Sequence, residues 1–189
     1  MILDSIDFTD FFKHVEGIFQ NHFSQKETQT IMEFVDILSD ANFRCYRANM
    51  IIIANRKEDE YDYKLISNLE WVARNVGEYR VASKANINRF IHNIRTLKEI
   101  TTTEVWTTDD IVYSIGEMMD RLSIETIKRR DFFVNKRPDH MRIASQLLSD
   151  GVEKHLIAKL KEIGKKGFYE CVHEQRTYDL EQIVKELDG

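Results

Sequence analysis

Apolar residues return every three or four positions along most of the chain, the period of helices that bury one face. Phe8, Phe11, Phe12, Val15, Ile18, Phe19, His22 and Phe23 predict a first helix from Asp7-Phe8 to Phe23, with Asp7 or Thr9 available as its cap. Ser24 and Glu27 have the spacing of a capping box and open a second helix that runs to Asp40, with Ile31, Phe34, Val35 and Leu38 as its stripe. Ala41-Asn42 interrupts that stripe and predicts a break. Phe43 to Lys57 fits a helix through Phe43, Tyr46, Met50 and Ile53, although Met50-Ile51-Ile52-Ile53 is β-branched enough for a buried strand. No neighbouring segment offers a partner strand, so a helix is expected. After a charged break at Arg56 to Glu60, the helical period resumes from Tyr61 to Tyr79, with Gly77 as its terminator, and again from Val81 to Ile100.

The strongest pattern lies in Trp106 to Phe133, where Thr107 or Thr108 can cap and Asp109 and Asp110 complement the helix dipole. Ile111, Ile115, Met118 and Leu122 form its apolar stripe, widened by Val112 and Met119. Gly116 in mid-helix costs about 1 kcal/mol relative to Ala, which points to close approach by another helix or a ligand. The chain's one proline lies in a connector, Asn135 to Asp139. A helix then follows from His140, kinked or divided at Gly151 and continuing to Gly164. Gly167 to Asp179 reads as a helix or a short strand, and Leu180 to Leu187 as a closing helix. Together these predict an all-α fold, a compact helical bundle of about seven to eight helices. The chain is read as one domain over 1–189, with possible lobes 1–100 and 104–189 meeting at Thr101 to Thr103.

Composition supports that class, since one proline and seven glycines in 189 residues leave few tight turns. The N-terminal residues carry acids where a signal peptide needs a basic region, and no apolar run approaches bilayer length. Two cysteines without CxxC spacing suit a reducing compartment, so a cytoplasmic protein without membrane contact is expected. The net charge of −5 argues against general nucleic-acid binding. The charge is uneven, however: residues 128–166 hold eleven Lys/Arg and five Asp/Glu, a charge of +6 against −11 elsewhere. That basic segment is the one nucleic-acid candidate, and pairing within the fold or between subunits accounts for it more simply.

Candidate chemistry concentrates on the polar side of the Trp106 to Phe133 helix. Glu117, Asp120, Arg121, Glu125 and Lys128 recur at helical spacing and either line a polar cleft or form a solvated face of ion pairs. Arg176, further along, could join them in meeting a phosphate. Glu170 and His173 make one E-x-x-H, the spacing that di-metal carboxylate bundles use twice. With Glu117 and Asp120 they form a candidate Mg²⁺ or Mn²⁺ set. Ser114-Ile115-Gly116-Glu117, Asp120-Arg121-Leu122-Ser123-Ile124 and Ile127-Lys128 resemble a "T/S-I-G-E-x-x-D-R-L-T/S-I-x-x-x-K" segment. That segment occurs in small helical bacterial and phage proteins and in related domain-of-unknown-function families. The resemblance covers about 25 residues. It implies a helix and leaves the chemistry open, and Arg130-Asp131-Phe132 stands where those families have Trp. The acidic words are also similar to the paired E-x-x-E and E-x-x-D helices of all-α nucleotide pyrophosphohydrolases, whose full pattern this chain lacks.

No Gly-rich phosphate loop, G-x-S-x-G or H-E-x-x-H occurs. The expectation is therefore a protein-interaction or oligomerising module with no cofactor, its phenylalanine-rich first helix making a homo-oligomer plausible. The alternative is a divalent-metal-dependent enzyme acting on a nucleotide or other phosphorylated small molecule.

Overall fold

The computed structural model describes residues 1–56, 62–99 and 115–166, with side chains 95–99 and 164–166 left aside. Among the described residues there are five helices and no strand: α1 (Thr9–Gln20), α2 (Gln25–Arg56), α3 (Tyr63–Glu99), α4 (Ile115–Val134) and α5 (Asp139–Lys166). The all-α class holds, but the described residues form five longer helices in place of most of the seven to eight expected. Three expected interruptions are absent. Ala41 and Asn42 are buried inside α2, Gly77 lies inside α3, and Gly151 is buried inside α5. Glycine and asparagine are weak helix formers, and tertiary packing outweighs such local preferences. The Met50 to Ile53 run is helical. Residues 57–61, 100–114 and 167–189 lie outside the description, so the Thr101 to Thr103 boundary, the Thr107 or Thr108 cap and the 167–187 elements do too.

Local signals place the first two helices. Asp7 accepts hydrogen bonds from the Thr9 backbone N–H (2.9 Å) and hydroxyl (2.6 Å) just before α1. The capping box before α2 is formed reciprocally: Ser24 N–H donates to Glu27 Oε1 at 2.9 Å, and Glu27 N–H donates to Ser24 Oγ at 3.2 Å. At the end of α4, Lys136 N–H reaches the Phe133 carbonyl and Arg137 N–H reaches that of Phe132. This is the Schellman arrangement, and it puts Lys136 at φ 49°, a left-handed conformation that glycine adopts more easily.

The core joins all five helices. Val15, Ile18 and Phe19 of α1, Ile31, Val35 and Leu38 of α2, and Ile87 and Ile91 of α3 belong to it. They meet Ile115, Met118, Met119 and Leu122 of α4 and Leu148 to Ile163 of α5. Phe8, Phe11 and Phe12, at the start of α1, are half-buried and pack on one another, and Phe19 and Phe23 are buried. A different segment stays outside the core. Among the described residues between Asn42 and Lys84, the buried apolar ones are Ala48, Ile52 and Ile66, none of them part of the main cluster. The second half of α2 and the first half of α3 thus form a two-helix arm with little apolar interior.

Candidate functional site

The polar residues of α4 do not line one cleft. Helical rotation divides them between two neighbours. Glu117 and Asp120 turn toward α3 and α2, while Arg121, Glu125 and Lys128 turn toward α5.

On the α3 side, the Asp120 side chain is 3% exposed and takes both Nε (2.8 Å) and Nη2 (2.6 Å) of Arg80, with Asn42 Nδ2 at 2.9 Å. Asn42 also donates to Ser123 Oγ at 2.7 Å, and Lys84 Nζ reaches Glu117 at 3.0 Å. The bidentate bond to Asp120 raises the Arg80 pKa further above its ordinary value. Gly116 explains why α3 and α4 can approach so closely. A Cβ there would stand 2.4 Å from the Lys84 carbonyl oxygen, and the Gly116 N–H donates to Asn88 Oδ1 at 2.9 Å. The glycine is therefore a helix-crossing point, as its position in the sequence suggested.

Of the candidate metal set, Glu117 and Asp120 are paired with Lys84 and Arg80 of α3, which places positive charge where a divalent ion would need to sit. Glu170, His173 and Arg176 lie outside the described residues. Among the described residues no three His, Cys, Asp or Glu side chains gather as a metal site.

On the α5 side, Arg121, Glu125 and Lys128 border a groove of about 370 Å³ with Phe132, His140, Met141, Ala144, Ser145 and Leu148. The Glu125 side chain is 3% exposed and meets Arg121 Nη2 at 3.0 Å, Lys128 Nζ at 3.2 Å and the Ser145 hydroxyl at 2.7 Å. Arg129 lies behind this carboxylate and donates to the Ser145 carbonyl and to the hydroxyls of Ser145 and Ser149. Burial lowers the Arg129 pKa against the opposing pull of Glu125 and Asp150.

Sequence reasoning found five of these residues and missed their partners. Asn42 carried a signal, being a polar residue at a stripe position seven after Val35, but it was taken as a break. Arg80 and Lys84 fell beside a supposed helix junction. Ser145 and Ser149 gave no signal that distinguishes them from other small polar residues on α5. Tyr46, expected on the apolar stripe of its helix, donates its hydroxyl to Asp131, and burial together with that carboxylate raises its pKa.

No helix among the described residues is long and apolar enough to cross a membrane. No family model matches the sequence, no curated protein matches it, and no solved structure matches the fold.

Proposed function

We propose that the chain is a self-associating helical interaction module whose contact surface is the outer face of α3. The observation that carries this reading is the set of large apolar side chains left in solvent on one side of the arm: Tyr63 (77% exposed), Trp71 (65%) and Val81 (59%). Single exposed apolar residues are ordinary, whereas two aromatics and a valine on one side of a helix form the kind of surface that partners cover.

The spacing of that face favours a second copy as the partner. Tyr63, Glu70, Arg74 and Val81 are separated by seven, four and seven residues, so they share one helix face and read the same in both directions about Val72. A two-fold axis at Val72 sets Tyr63 against Val81 of the second copy and Glu70 against its Arg74, each pairing occurring twice. Trp71 lies beside the axis. Glu70 already accepts from Arg56 at 3.1 Å, which holds it at the rim of this face.

Sedimentation equilibrium of the full chain tests the reading. The wild type should show a concentration-dependent dimer. Arg74→Glu puts like charges at both ends of the central pair and should weaken dimerisation about tenfold, consistent with the modest energy of exposed ion pairs. The double change Glu70→Arg with Arg74→Glu should restore it. A monomer at every concentration, or a dimer indifferent to Arg74→Glu, overturns the proposal.

A further inference from the structure

The groove between α4 and α5 combines two features that the proposed self-association does not use. Its mouth is cationic. Arg121 and Lys128 share one buried carboxylate, Glu125, and keep 39% and 36% of their side chains exposed. Arg129 sits behind Glu125 and is balanced by Asp150 on its other side, so the two mouth cations together exceed the negative charge facing them. Exposed His140 stands at the same rim. The second feature is an apolar wall of Phe132, Met141, Ala144 and Leu148.

We propose that this groove binds a phosphate monoester, its phosphate held by Arg121 and Lys128 and its apolar body laid against Phe132 and Leu148. Arg121 contacts Glu125 through Nη2 and still keeps 39% of its side chain in solvent at the groove mouth, where a phosphate oxygen can meet the guanidinium. A guanidinium and an ammonium seven residues apart on one helix face offer a fork and a point charge, a combination suited to the several oxygens of a phosphate. Glu125 does not repel the ligand from the interior, because its oxygens are already committed to Arg121, Lys128 and Ser145. It holds the two cations on either side of the groove. The volume of about 370 Å³ lies within the range of small-molecule sites and admits a body of one or two rings.

Calorimetric titration of the full chain with phenyl phosphate, inorganic phosphate and benzyl alcohol tests both features together. Phenyl phosphate should bind, inorganic phosphate should bind roughly tenfold more weakly for want of the apolar contact, and benzyl alcohol should give no binding heat. Lys128→Met should weaken both phosphates about tenfold, the loss of one charge-assisted contact, while Glu125 keeps Arg121 and Ser145 and the fold is retained. Lys128→Arg should bind as the wild type does. Phe132→Ala should weaken phenyl phosphate and leave inorganic phosphate unchanged. The proposal is overturned if the folded wild type does not bind phenyl phosphate. Equal affinity for the two phosphates, or unchanged affinity in Lys128→Met, overturns it as well.

Discussion

Asp120 accepts hydrogen bonds from two helices other than its own, so removing its carboxylate takes the bidentate partner from Arg80 and leaves Asn42 with Ser123. Breaking a fully buried pair from one side costs about 3–5 kcal/mol, and the partial exposure of Arg80 (35%) lets water recover part of that. Asp120→Ala should therefore lower the unfolding free energy by about 2–3 kcal/mol in urea titrations, with the slope of the transition unchanged. A loss below about 1 kcal/mol would place Asp120 among ordinary surface acids, whose pairs contribute little. Glu117 gives the contrast, since its carboxylate is about one-third exposed (36%) and its one ion pair, with Lys84, is shared with water. At this scale the sequence was half legible. Glu117, Asp120, Arg121, Glu125 and Lys128 stood out as one polar face by spacing alone. Which of them would be buried depended on Arg80, Asn42 and Ser145 arriving from three other helices, and a spacing rule confined to one helix carries no information about that.

The helices themselves were more legible than their ends. Apolar stripes in α1, α2, α4 and α5 occupy the core much as their period required, and the capping box before α2 forms as written. What misled was punctuation. Gly77, Gly151 and Asn42 are weak helix formers, yet the chain stays helical through all three. Two glycines show how context decides the same substitution. At Gly77 an added Cβ meets nothing within 4 Å, so Gly77→Ala gains helix propensity alone and should stabilise by about 0.5–1 kcal/mol. At Gly116 the same methyl would lie 2.4 Å from the Lys84 carbonyl, a backbone atom that cannot swing aside. Gly116→Ala must push α3 and α4 apart and strain the Asp120 pairs nearby, so it should destabilise by about 1–3 kcal/mol despite the propensity gain. Thermal melts of the two variants should move in opposite directions. If both rise, the close crossing of α3 and α4 is not a constraint on the fold.

At the scale of the whole molecule, stability is divided unevenly. The main core fastens α1, the first part of α2, the second part of α3, α4 and α5, whereas the arm beyond Asn42 rests on Ala48, Ile52, Ile66 and their partly buried neighbours. A two-helix unit with so small an interior opens more readily than the body that carries it, because local opening free energy follows the apolar area each segment buries. Amide hydrogen exchange should therefore be faster at 63–79 of α3 than at 84–94 of the same helix, although both stretches are regular. The self-association proposed for this face makes a further demand. A second copy that covers the face only when the arm is formed must stabilise it by mass action, so exchange at 63–79 should slow as protein concentration rises. Exchange at 84–94, already governed by the core, should change much less. If both stretches slow equally, association stabilises the molecule as a whole. If neither slows while a dimer is plainly present, the contact lies elsewhere on the surface, and the exposed aromatics of α3 face solvent in the dimer as well.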